Sequence, residues 1–230
     1  MLYFLYLKTP KTYGAYAFFY LFICLCFFET ACSSFSENQA WDIASRCKSN
    51  QRELIRFLEY YKQSGDKEKY QAACFLIENM PGKYSVYGNY QKIIYDIDVV
   101  IADSLIQSLE YSFRLWKQSP YLKNCSFEDF CEYVLPYRIA TEPLVYYWKW
   151  DCKKRFGHSL KSTLSIAEAA QIVNKRIYVP IVSENQKGYL KSYSEMISGS
   201  NGTCDDRAIL TVMALRSIGI PAAFDYIPYW

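Results

Sequence analysis

The chain has 230 residues, 51% of them hydrophobic and 18% aromatic, with a formal net charge of +3. Its 26 basic and 23 acidic side chains are interspersed, with no basic stripe or block, so nothing singles out a nucleic-acid partner. One histidine and the lack of any Cys-x-x-Cys pair leave no metal-ligand spacing, and neither a metal nor another cofactor is expected.

The N-terminus has the form of an export signal. Lys8 and Lys11 precede an apolar run from Ala15 to Phe28, which is shorter than the roughly 20 residues a membrane-spanning helix needs. Thr30-Ala31-Cys32 then resembles the processing site of a bacterial lipoprotein, although Glu29 stands where an aliphatic residue is expected. On that reading residues 1–31 are a signal peptide. Cys32 becomes the lipidated N-terminus, and the protein is exported and held in a bacterial envelope, at the outer membrane or in the periplasm, through its lipid anchor. Ordinary secretion and an uncleaved anchor are the other two outcomes such a segment allows.

Residues 32–176 read as a helical region. Asn50 and Glu53 fit a capping arrangement, followed by Leu54, Leu58 and Tyr61 at helical spacing until Ser64-Gly65. A second helix is expected from Lys67 to Asn79, with Tyr70, Ala73, Cys74 and Ile77 on one face and Pro81-Gly82 ending it. A longer one should run from Asp98 to Lys117, and Ser126 with Asp129 should open another that Pro136 closes. Pro143 suits the first turn of a helix reaching Arg155, and Ser165 with Glu168 makes a further capping box. Arg138 and Glu142 are candidates for a buried ion pair, and the run Tyr146, Tyr147, Trp148, Trp150 for a packed helix face.

The texture changes in residues 177–230. Ile177 to Val182 is β-branched and interrupted by Pro180, which suits an edge strand or an extended linker. Gly, Ser and Asn cluster from Ser198 to Thr203, and an apolar-periodic segment follows at once: Ala208, Ile209, Val212, Met213, Leu215. Arg216 falls in its last turn, Gly219 just beyond it, and Pro221 forbids continuation. Cys204 therefore sits in the first turn of a helix, where unpaired N–H groups and the positive dipole end favour a thiolate over a thiol. Asp205 and Asp206 beside it read as first-turn acids that complement the dipole. Of the other cysteines, Cys24 and Cys26 lie in the signal, and Cys47, Cys74, Cys125, Cys131 and Cys152 are distributed along the chain with no deducible pairing.

The segment Gly202-Thr203-Cys204-Asp205-Asp206-Arg207-Ala208, with Leu215-Arg216-Ser217-Ile218-Gly219-Ile220-Pro221-Ala222, resembles the core of the transglutaminase-like superfamily. Upstream, Ala73 to Gly82 and Leu135-Pro136-Tyr137-Arg138 are similar to the helical N-terminal region of bacterial transglutaminase-like lipoproteins. The resemblance implies an α+β chain: a mainly helical region followed by the first part of a papain-like core. It implies Cys204 as the catalytic nucleophile that forms a thioester with amide substrates, so a peptide or protein is the implied substrate. It further implies a histidine and then an aspartate on strands after the cysteine helix. The lone His158 precedes Cys204 and does not map to that histidine, so the chain reads as a partial domain, inactive by itself. The competing reading is a non-catalytic cell-surface lipoprotein used for binding or structure.

Overall fold

The structure, a computed structural model, describes residues 36–88, 92–158, 160, 165–181 and 189–225. Expectations for the export signal and for lipidation at Cys32 fall outside the described residues. Mainly helical, with one two-stranded antiparallel sheet, the described part is α+β at the coarse level.

Three helices open it: α1 (Glu37–Arg46), α2 (Gln51–Ser64) and α3 (Lys67–Glu78), packed on one another. Leu54, Phe57, Leu58 and Tyr61 bury one stripe of α2, and Gly65 at φ 73° takes the left-handed conformation that ends it. Asp66 caps α3 by accepting the N–H of Lys69 at 3.1 Å. The expected cap of α2 takes another form. Asn50 makes no side-chain cap bond; its Nδ2 donates to the Val100 carbonyl at 2.8 Å, and Glu53 accepts the N–H of Ala102 at 2.9 Å. Glu53 thus satisfies an orphan N–H at the start of a later helix, α4 (Ala102–Gln118), and Asn50 holds the carbonyl just before it.

Between α3 and α4 lies a hairpin absent from the sequence expectations, β1 (Tyr84–Tyr87) with β2 (Lys92–Tyr95), pairing Tyr84 with Tyr95 and Val86 with Ile93. Helix α4 starts at Ala102 and not at Asp98, because residues Asp96–Asp98 form a 3-10 turn that carries the Asp96 side chain into the interior.

After a 3-10 turn at Pro120–Leu122 comes α5 (Phe127–Tyr133), capped by Ser126 on the N–H of Asp129 at 3.0 Å. The next helix, α6 (Trp148–Phe156), begins well past Pro143. The intervening chain is held as a loop by Glu142, whose carboxylate accepts the N–H groups of Ile139 and Ala140, each at 2.7 Å. A further correction concerns Arg138. Its ion pair is with Asp96, and it reaches Glu142 only at the backbone carbonyl, at 2.7 Å.

The last helices are α7 (Ile166–Arg176), opened by the expected Ser165–Glu168 capping box, α8 (Tyr193–Ile197), and α9 (Cys204–Ser217). A single core crosses residue 176: Trp148 and Cys152 of α6, Ala169 and Val173 of α7, and Ile209, Leu210, Met213 and Ala214 of α9 are all buried together. At about 1.5–3 kcal/mol for each fully buried aliphatic side chain, this packing holds α9 as a rigid element. Gly219 follows it at φ 83°, and a Cβ there would meet Ser119 Oγ at 2.6 Å, so both conformation and space demand glycine. Among the described residues no helix is long and apolar enough to cross a membrane.

Candidate functional site

The site is built where the extended segment before residue 182 meets the loop that feeds α9. Gly202 donates its N–H to the Pro180 carbonyl at 2.7 Å and forms a parallel bridge with Ile181. The contact is close enough that a Cβ on Gly202 would lie 2.6 Å from Val179 Cγ1 and 3.1 Å from Asp206 Oδ2. Glycine here permits the backbone approach that fixes the start of α9.

Thr203 is the N-cap of α9, in an extended conformation at φ −100°. Its Oγ1 accepts the N–H of Asp206 at 3.2 Å, while Asp206 Oδ2 accepts the Thr203 N–H at 2.8 Å and the Thr203 hydroxyl at 3.0 Å. That reciprocal box satisfies orphan donors of the first turn. The second oxygen, Asp206 Oδ1, accepts the N–H of Lys191 at 2.9 Å. The two adjacent acids, alike in sequence, thus separate in role: Asp206 is buried and ties two segments together, while Asp205 stays half-exposed beside the sulfur.

Cys204 is the first residue of α9 and is exposed. Its Sγ donates to Asp205 Oδ1 at 3.8 Å, its one hydrogen bond among the described residues. The remaining described cysteines differ sharply. Cys47, Cys74, Cys131 and Cys152 are buried and Cys125 is half-buried. Burial pushes the Cys74 thiol up to about 11 and that of Cys152 up to about 12, and raises those of Cys125 and Cys131 as well. A thiol so shifted has almost no thiolate at neutral pH.

His158 lies on the exposed turn after α6, its Nδ1 paired with the Arg155 carbonyl at 2.8 Å; no hydrogen bond joins it to Cys204. The aromatic run divides between inside and outside. Trp148 is buried and donates Nε1–H to the Tyr137 carbonyl at 2.8 Å, whereas Tyr147, whose hydroxyl bonds that of Ser194, and Trp150 are exposed. Among the described residues no group of three or more His, Cys, Asp or Glu side chains is placed to hold a metal ion. Sequence reasoning missed the tie from Asp206 to Lys191; the Thr-x-x-Asp spacing ahead of an apolar run was the available signal for half of it. No protein family, curated protein or solved structure matches the chain.

Proposed function

We propose that residues 177–230 are the nucleophile-bearing part of a transglutaminase-like core of papain type, with Cys204 as the attacking group on amide or acyl substrates. The observation that carries this reading is the placement of one exposed thiol on the first residue of a helix whose start is locked by a capping box and whose body is buried. Cys204 Sγ would attack the carbonyl carbon of a peptide or protein side chain, forming a thioester. The amine leaves with a proton from a general acid, and water or a second amine then releases the acyl group. The unpaired N–H groups of the first turn give the developing negative charge a favourable end of the helix. Turnover of amides needs an adjacent base, and among the described residues the thiol's one partner is the Asp205 carboxylate. Acylation by an activated ester is therefore expected of these residues, and amide turnover is not. A lipid on Cys32 would hold the domain at the bacterial envelope.

Among the described residues no base hydrogen-bonds the thiol other than the Asp205 carboxylate, which favours a second reading, a non-catalytic surface lipoprotein. Incubation of the chain with p-nitrophenyl acetate, followed by peptide mass analysis, separates the two. The first reading expects one equivalent of p-nitrophenolate and an acetyl group on Cys204, both lost in Cys204→Ser. Acetylation elsewhere only, or none, would leave the non-catalytic reading standing.

A further inference from the structure

At the end of α9 away from Cys204, about 18 Å along the helix at roughly 1.5 Å per residue, lies a pocket of about 170 Å³. Arg216 reaches it from the last turn of α9 and is only 6% exposed. Its Nε donates to the Ala222 carbonyl at 2.8 Å. Among the described residues, Nη1 and Nη2 of Arg216 meet no acceptor. Neither is sealed in protein, since among the described residues Glu78 Oε1 is the one wholly buried side-chain atom without a partner. Arg216 lines the pocket, so these donors stand at its wall. Arg138, also on its wall, is fully committed: Nε to the Ala140 carbonyl, Nη1 to Asp96, and Nη2 to the Glu142 carbonyl. It has no spare donors, and Asp96 balances its charge.

Lys83 and Asn79 stand exposed at the rim, and among the described residues Lys83 has no carboxylate within ion-pair reach. With Arg138 balanced by Asp96, Lys83 and Arg216 stand on the walls against one carboxylate, the exposed Glu132. A buried guanidinium with open donors is costly unless something accepts from it. Burial holds Arg216 down to about 10, with Glu142 and Glu132 only partly restoring it. We propose that this pocket binds a small tetrahedral oxyanion of the phosphate or sulfate class, gripped by the guanidinium of Arg216 and the ammonium of Lys83. The donors come from separate walls, α9 and the segment after α3, which suits oxygens spread in three dimensions better than a planar carboxylate. Glu132, the one carboxylate of the lining, would compete with the anion for these cations.

The test is a thermal-melting titration of the full chain with inorganic phosphate, against sodium chloride and acetate at matched ionic strength. Wild type should show a saturable rise with phosphate beyond the chloride baseline and little with acetate. Lys83→Gln, at an exposed position, should weaken the midpoint about tenfold, the loss of one charge-assisted hydrogen bond. Glu132→Gln should tighten it, a change no purely structural role of Arg216 would produce. No saturable rise in either wild type or Glu132→Gln would overturn the proposal. So would the same phosphate response in all three proteins, which is what an excluded salt gives without binding. An acetate response equal to that of phosphate would overturn the assigned ligand class.

Discussion

The carboxylate of Asp206 holds the backbone N–H of Lys191 at 2.9 Å while its other oxygen closes the capping box on Thr203. One buried side chain thus joins the segment before α8 to the turn that presents Cys204. Asp206→Ala should leave two backbone N–H groups and a hydroxyl without their acceptor. The expected loss is about 2–3 kcal/mol of stability, read by chemical denaturation, with Asp206→Asn losing roughly half of that. A loss below about 0.5 kcal/mol for the alanine variant would mean that water replaces the carboxylate at no cost.

Asp96 and Arg138 form a second buried tie, linking the end of the hairpin to the loop before α6. Tyr137 adds its hydroxyl to Asp96 at 2.9 Å, and Arg138 is only 4% exposed. Removing one charge strands the other in a dry site, so Asp96→Asn should cost about 3–5 kcal/mol. The double variant Asp96→Asn with Arg138→Met should recover part of the loss. Additive losses in the double-mutant cycle would show the two charges to be uncoupled.

Lys149 is 1% exposed and donates to Ser112 Oγ at 2.6 Å and to the Leu135 carbonyl at 2.7 Å, with no carboxylate in ion-pair reach among the described residues. Burial, with Arg216 adding repulsion, holds its pKa well below the ordinary lysine value. The unfolded chain, with a lysine pKa near about 10.4, then binds a proton that the folded chain releases. Stability from this group is complete above that value and is lost as pH falls toward the folded pKa. Its contribution to the slope between pH 7 and 9 is up to about 1.4 kcal/mol per pH unit. Lys149→Met should flatten the stability–pH curve by that amount relative to wild type. Parallel curves would mean that Lys149 keeps its proton inside the fold.

What could be read along the chain, and what could not, divides by distance. Gly65, the Ser165–Glu168 box and the limits of α9 between Thr203 and Gly219 are short-range features, and the structure has them where residue types and spacing place them. Several of the failures are long-range. Asn50 and Glu53 have the right types for a local cap, but their partners at Val100 and Ala102 are nearer in space. The strands of the hairpin are four residues each, too short for alternation to register, and Ile93 and Tyr95 remain exposed. Nothing in the spacing around Lys149 marks it as buried; the packing of α4 and the Leu135 turn around it puts it inside. At the site, the cysteine and its helix were visible in the sequence. The buried acid that sets its geometry was visible only as one of a pair of acids.

The most direct measurement is the rate at which iodoacetamide modifies each cysteine of the native chain near neutral pH, followed residue by residue. Cys204 should be alkylated first and well ahead of the half-buried Cys125. Cys47, Cys74, Cys131 and Cys152 should react only when denaturant opens the fold. Alkylation of Cys204 no faster than that of Cys125 would contradict an accessible, reactive thiol at the start of α9, and with it the nucleophile assignment.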